Sequence, residues 1–340
     1  MIVIPGNAQA VGERQEQQDA FGFTDKDDAA FVAHGGVLAV VADGMGGMAL
    51  GQQAGQCAVN TLLETYAEKL PEENISEALM RALHGANTAV VKLAEEAGLT
   101  GEVGTTVVAA VIHQGQLYWV SVGDSHLYLY RQGTLKQLTT DHIYAAELAK
   151  AVSGGELSQA EAEQHPERQS LTSYVGLAPL TVIDANTIQL AIGDRLLLCS
   201  DGLYGGLSKA EMAAELAGDP HRAAETLIRQ ALVKRHARQD NLTAVVMAWE
   251  TEGWIEPQQL KQQADIPKTR MASRIGIGVA ILLAWMTGFV MGRYWETARR
   301  AMTNTEQKGE ASRTFSSPQE EKLSSTTPEK KVPKEGTSNE

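Results

Sequence analysis

The amino-acid sequence predicts an α+β fold in which helices cover antiparallel sheet, and two observations carry the prediction. Between residues 1 and 250, apolar runs of strand length alternate with longer amphipathic segments. The central strands are joined through Gly115, Asp124-Ser125 and Gln132-Gly133, turns too short for a crossover helix, which implies antiparallel meanders. In chain order, VLAVVADG (37–44), TTVVAAVIH (105–113), QLYWVSVGD (116–124), HLYLYR (126–131), RLLLCSDG (195–202) and NLTAVVMAWE (241–250) read as strands. Residues 49–70, 74–97, 208–217 and 220–236 read as helices, the second opened by Asn74 as N-cap and stopped by Gly98. Helices set against such strands, not threaded between parallel ones, define the class.

At 340 residues, 43% hydrophobic and 21% charged, the chain has ample apolar material for one large domain or two small ones. Cys57 and Cys199 lie in apolar stretches and read as buried thiols. The opening MIVIPGNAQAVGERQ lacks the basic start and apolar run of a secretory signal, so synthesis and folding in the cytoplasm are expected. The net charge of −13 is uneven: residues 261–340 hold 13 Lys+Arg against 9 Asp+Glu, and the first 260 residues hold 16 against 33. So acidic a body disfavours nucleic acid as a partner, because neutralising phosphates needs a basic surface. It is also consistent with carboxylates gathered around cations.

The stretch IGIGVAILLAWMTGFVMG (275–292) has no charged residue and stands between Lys268, Arg270 and Arg274 on one side and Arg293, Arg299 and Arg300 on the other. As a helix it would reach about 27 Å, enough for a hydrocarbon core, with Tyr294 and Trp295 at the interface. The expected order is a folded domain over 1–250, a juxtamembrane linker over 251–274, a transmembrane helix over 275–292 and a disordered polar tail over 293–340. The expected location is the inner (cytoplasmic) membrane, single-pass, with the folded domain in the cytoplasm.

Four apolar strands run into or out of an aspartate: Asp43 in VVADGMGG, Asp124 in VSVGDSH, Asp201 in LLLCSDGL and Asp240 in RQDNLTAVV. Aspartate and glycine at a strand end commonly mark a turn. Four in one sheet system can instead converge on one pocket, where their repulsion is tolerable with cations between them. Near the start, Arg14 and Asp19 offer a planar fork that fits a phosphate dianion and a further oxygen ligand. A solvated surface ion pair is the alternative reading of that segment.

These motifs resemble the type 2C metal-dependent protein phosphatases (PPM family) of bacterial type, in the family's order. They are R-x-x-x-x-D ending at Asp19, DGMGG at 43–47, GTT at 104–106, VGDS at 122–125, SDGL at 200–203 and DN-x-T at 240–243. The resemblance implies an α-β-β-α sandwich, two antiparallel sheets face to face with helices outside, and hydrolysis of phosphoserine and phosphothreonine in phosphorylated proteins, opposing a Ser/Thr protein kinase. It implies Asp43 as the carboxylate bridging two cations, Asp201 and Asp240 completing one metal site, Asp19 and the backbone carbonyl of Gly44 serving the other, and Asp124 with Asp201 at a third. An all-oxygen ligand set favours Mn²⁺ or Mg²⁺ over zinc.

Two such ions lower the pKa of a shared water, so no protein nucleophile is required. Arg14 would hold the non-transferring phosphate oxygens. Glycines 44, 46 and 47 would let backbone pass close to the ions. Met45 stands where many eukaryotic relatives have a histidine that could act as general acid, and methionine cannot deliver a proton. His126, after GDS, is the nearest candidate; a partly exposed strand histidine is the alternative. Residues 141–191 lack clear strand character and correspond to a mobile flap in the family. The rival functional reading is a membrane-tethered phosphoprotein-binding pseudophosphatase.

Overall fold

The computed structural model describes residues 1–45, 48–234 and 239–251. They belong to one compact unit, Met1–Gln263. The expected linker beyond Thr251, the expected span at 275–292 and the expected tail at 293–340 lie outside the described residues. Among the described residues no helix is long and apolar enough to cross a membrane.

Two antiparallel sheets stack face to face. The first has the order β1 (Ile2–Ala10), β11 (Leu242–Glu250), β10 (Arg195–Cys199), β7 (His126–Arg131), β8 (Thr134–Gln137). The second has the order β2 (Asp19–Phe23), β3 (Val37–Met45), β5 (Val107–His113), β6 (Gln116–Val122), β9 (Asp184–Gln189), with β4 (Gly104–Thr105) pairing the end of β3. Strand alternation sorts the apolar residues between layers. Val37, Ala39 and Val41 face the inter-sheet core with Leu196, Leu198, Val245 and Met247. Leu38, Val40 and Ala42 face the helices α2 (Met48–Ala67) and α3 (Ile75–Glu96). On the outer face of the first sheet, Leu197, Cys199, Ala244 and Val246 pack under α6 (Asp201–Gly206), α7 (Lys209–Glu215) and α8 (Pro220–Lys234). Strands buried on both faces account for the unbroken apolar runs in the sequence. Layering is thus helix, sheet, sheet, helix, with α1 (Ala29–Gly35), α4 (Tyr144–Ser153) and α5 (Gln159–Glu163) in the connections.

Several boundaries and connections depart from the sequence reading. The run at 195–202 is strand only to Cys199, because Ser200 is the N-cap of α6 and Asp201 its first residue. The run at 105–113 is interrupted at Thr106, between β4 and β5. The turns at Gly115 and Gln132-Gly133 do close hairpins, with positive φ at Gln114, Gly115, Gln132 and Gly133. The turn at Asp124-Ser125 does not: β6 lies in one sheet and β7 in the other, so this turn crosses between them. Residues 141–191 contain α4, α5 and the edge strand β9, which pairs with β6.

Candidate metal centre and active site

The alternation that builds the core also builds the site. Continuing the inter-sheet column of β3 past Val41 reaches Asp43; continuing those of β10 and β11 past Leu198 and Val245 reaches Ser200 and Thr243. Asp19 stands opposite Asp43 in the β2–β3 ladder. One end of the sandwich interior is therefore polar. The sheet-crossing turn delivers Asp124 to the same end, the first residue of α6 delivers Asp201, and the loop before β11 delivers Asp240. These carboxylates, with Arg14, Gln18, Gly44, Met45, Thr106, Gln169 and Leu171, line one cavity of about 390 Å³. Asp19 lies beneath that lining, only 5% exposed.

Local hydrogen bonds fix each member. The GTT motif grips the backbone of Asp43: the Thr105 hydroxyl and the Thr106 N–H both donate to its carbonyl at 2.9 Å, and its own N–H donates to Thr106 Oγ1 at 3.0 Å. Asn241 ties the Arg14 loop to the Asp240 turn, donating from Nδ2 to the carbonyls of Val11 and Glu16 and accepting from the Gln18 N–H. Three hydrogen bonds, two with His142 and one with Tyr204, hold the Asp124 turn. Gly123 N–H donates to His142 Nδ1 at 3.2 Å, His142 N–H donates to the Gly123 carbonyl at 3.0 Å, and Tyr204 donates its hydroxyl to the Asp124 carbonyl at 3.0 Å. Arg14, at the cavity rim, donates to Asp240 Oδ2 at 2.5 Å. A guanidinium has five donors, so that contact leaves others for a ligand in the cavity.

His126 is not the partly exposed strand residue that the sequence allowed, nor is it placed to serve as a general acid. It is 4% exposed, its Nε2 pairs with Asp141 at 2.9 Å, its Nδ1 with the Tyr128 hydroxyl at 2.6 Å, and its ring stacks on Tyr204 at 3.8 Å. Both nitrogens are engaged away from the cavity lining. The sequence reading also passed over Gln18, Thr106, Gln169 and Leu171 as wall residues. Thr106 could have been flagged from its motif, whereas Gln169 and Leu171 carry no local signal, since they arrive from the 141–191 segment by tertiary contact.

The cluster is electrostatically unfavourable as it stands. Asp43 is pushed well above the ordinary carboxylate range, by burial first and then by Asp19, Asp201, Asp240 and Asp124. Burial and the Asp201 charge push Asp124 up to about 6; burial, opposed by hydrogen bonds from Ser200 and Thr243, pushes Asp19 up to about 6. Asp201 is raised by burial and Asp240, although a hydrogen bond from the Gly202 backbone offsets part of this. Asp19 Oδ1 and Asp201 Oδ1 are buried without a hydrogen-bond partner. Unpartnered anionic oxygens, mutual repulsion and an all-oxygen donor set fit hard divalent cations. Among the described residues no three His, Cys, Asp or Glu groups stand at chelating spacing.

A pH dependence follows for protein stripped of metal. A carboxyl whose pKa is higher folded than unfolded adds stability that is complete below the unfolded value, about 4, and is lost as pH rises through the folded value. For Asp19 and Asp124 that loss falls between about pH 4 and about pH 6. His142, whose pKa burial lowers, contributes the opposite slope, but it is one imidazole against four carboxyls. The calorimetric melting temperature in EDTA should therefore fall from pH 5 to pH 7, and fall less in Asp124→Asn. A wild-type midpoint that rises over this range, or an equal slope in the variant, would contradict the electrostatic assignment.

An acidic, cation-seeking cavity between helix-covered sheets, with an arginine fork at its rim, defines a metal-dependent phosphohydrolase class of site. The chain belongs to the protein phosphatase 2C family, whose family model matches residues 9–255. The serine/threonine phosphatase stp of Listeria innocua is 33% identical over 214 residues, 62% of this chain and 83% of that protein. Protein phosphatase PhpP of Streptococcus pneumoniae is 32% identical over 224 residues, 64% of this chain and 88% of that protein. The solved catalytic domain of the serine/threonine protein phosphatase PstP, in complex with two manganese ions, superposes with a TM-score of 0.60 at 26% identity, covering 74% of this chain and 99% of that one. The chain is thus a protein-serine/threonine phosphatase of a metal-dependent family.

Proposed function

We propose that the chain hydrolyses phosphoserine and phosphothreonine with two core Mn²⁺ or Mg²⁺ ions, a third being held more weakly. The observation that carries this is the convergence of Asp43, Asp124, Asp201, Asp240 and Arg14 on one cavity. Asp43, Asp201 and Asp240 would hold one ion, Asp43 with Asp19 and the Gly44 carbonyl the other, and Asp124 with Asp201 the third. When bound, such ions supply an ionised water at neutral pH and neutralise charge building on the phosphoryl oxygens. Arg14 binds and orients the dianion at the rim. Its side chain is half exposed, placed to meet an incoming phosphopeptide, and its planar fork grips two oxygens at once. Gln169 and Leu171 form the cavity wall on the side of the 141–191 segment, where a peptide flanking the phosphoresidue would pass.

The purified chain with Mn²⁺ should release phosphate from a phosphothreonine peptide and leave an oligonucleotide intact. Metal uptake without phosphate release would favour the pseudophosphatase reading. Arg14→Ala should lower kcat/KM by one to two orders of magnitude, since a charge-assisted hydrogen bond is worth about 1.5 to 3 kcal/mol. Because Arg14 also donates to Asp240, metal affinity is the control. A loss of Mn²⁺ binding as large as that in Asp43→Asn would make Arg14 a structural support of the metal site rather than a phosphate clamp.

The proposal extends to a single-pass anchor at residues 275–292 in the inner membrane, with the phosphatase domain cytoplasmic and opposing a Ser/Thr kinase. Support comes from the uncharged run with basic flanks. Ser325→Cys probed with a membrane-impermeant thiol reagent should label on intact spheroplasts; labelling only after lysis would rule out the spanning topology.

A further inference from the structure

Asp19 is the most deeply buried carboxylate of the cluster, and its two oxygens are treated differently. Oδ2 accepts from the Ser200 hydroxyl at 2.6 Å and from the Thr243 hydroxyl at 2.7 Å. Oδ1 is buried and has no partner. Thr243 lies on β11, in the sheet opposite to that of Asp19, and Ser200 directly follows β10 of that sheet, so the two hydroxyls bridge the layers at the polar end of the core.

The direction of both hydrogen bonds is determined. Each hydroxyl has a single proton to give. Ser200 Oγ accepts from the Thr243 N–H at 3.1 Å, and Thr243 Oγ1 accepts from Gln9 Nε2 at 3.3 Å, which leaves each hydroxyl proton for Asp19. Gln9 Nε2 also donates to the Asp19 backbone carbonyl at 2.9 Å, so backbone and carboxylate are tied to one network. Ser200 moreover stands at the N-cap of α6, where a serine hydroxyl ordinarily accepts from the helix's own N–H groups. It makes no such cap bond; its hydroxyl is committed to Asp19 instead.

We infer that Ser200 and Thr243 are positioning residues of the metal centre, which pin the Asp19 carboxylate by Oδ2 and so reserve Oδ1 for a divalent cation or its water. The inference rests on the metal-dependent reading above and assigns two residues a task within it. Groups that orient a ligand from behind commonly affect metal affinity about 10- to 100-fold when removed.

The test is calorimetric titration of Mn²⁺ into the EDTA-stripped full chain. Thr243→Val and Ser200→Ala should each weaken Mn²⁺ binding about tenfold or more, whereas Thr243→Ser and Ser200→Thr, which keep the hydroxyl, should stay within about threefold of wild type. In an Asp19→Asn background, Thr243→Val should cost little further affinity, since it acts through Asp19. Circular dichroism of the stripped proteins checks folding, and should Thr243→Val not fold, Ser200→Ala and its conservative partner decide. Wild-type affinity in both hydroxyl-deleting variants, failure of the conservative variants to restore it, or full additivity with Asp19→Asn would overturn the positioning role. No uptake of Mn²⁺ by the wild type would overturn the metal-dependent reading itself, and this role with it.

Discussion

Asp43→Asn should lower kcat/KM on a phosphothreonine peptide by about three orders of magnitude or more, the several kcal/mol that metal-assisted charge stabilisation supplies. It should abolish high-affinity Mn²⁺ uptake. The ionised form of Asp43 is opposed by burial and by four neighbouring carboxylates. Replacing it with a neutral amide relieves that repulsion, so the same variant should melt higher than wild type when both are stripped of metal at pH 7.5. Stability gained and metal lost together distinguish a strained ligand cluster from a structural aspartate, whose removal would lower both. Asp124→Asn should be milder in activity, because Asp124 would contact only the third cation. Equal turnover and metal affinity in wild type and Asp43→Asn would overturn the assignment.

Gly44→Ala should be nearly as damaging, by a different route. A Cβ at residue 44 would lie 2.0 Å from the Gly51 carbonyl oxygen and 2.8 Å from the Gln18 carbonyl oxygen. Both are backbone atoms, which cannot rotate aside as a side chain can. Either α2 or the Arg14–Asp19 loop must move, and Arg14 and Gln18 of that loop line the cavity. Overpacking against a yielding core costs about 1 to 3 kcal/mol; against rigid backbone the cost should reach the upper end or beyond. In a domain of this size that corresponds to a fall of about 6 °C or more in melting temperature, accompanied by weaker Mn²⁺ binding. An unchanged melting curve with normal metal affinity would mean that the approach of α2 to Gly44 is not fixed in solution.

The central strands were legible in the sequence because β3, β5, β10 and β11 are buried on both faces and therefore spell continuous apolar runs. β1 and β9 were not. β1 carries Pro5, Gly6 and Asn7 within IVIPGNAQA, which reads as loop; Gly6 is there because the start of α8 passes so close that a Cβ would meet the His221 backbone nitrogen at 2.3 Å. β9, DANTIQ, is an exposed edge strand with few apolar residues to alternate. The Asp124-Ser125 turn illustrates another limit. Two residues between two strands suit a hairpin or a step from one sheet to the other, and only the long-range pairing of β7 with β10 decides. Of the site, Asp43, Asp124, Asp201 and Asp240 were legible as aspartates at strand ends and turns, Arg14 and Asp19 as a phosphate fork and an oxygen ligand near the start, and the Gly44 carbonyl only through the resemblance of its motif to the family. Their convergence is a property of the sandwich. The burial of Asp19 beneath the cavity, and the capture of His126 by Asp141 and Tyr128, depend on contacts that no local pattern encodes.

In the proposed function the strand-end carboxylates form one catalytic centre that works only with divalent cations. It is tested most directly by stripping the full chain with EDTA and titrating Mn²⁺ back, following heat and phosphate release from a phosphothreonine peptide on the same samples. Turnover should be absent in EDTA, at least two ions should be taken up, and activity should recover in step with occupancy. Full activity in excess EDTA, or activity that returns without ion uptake, would contradict it.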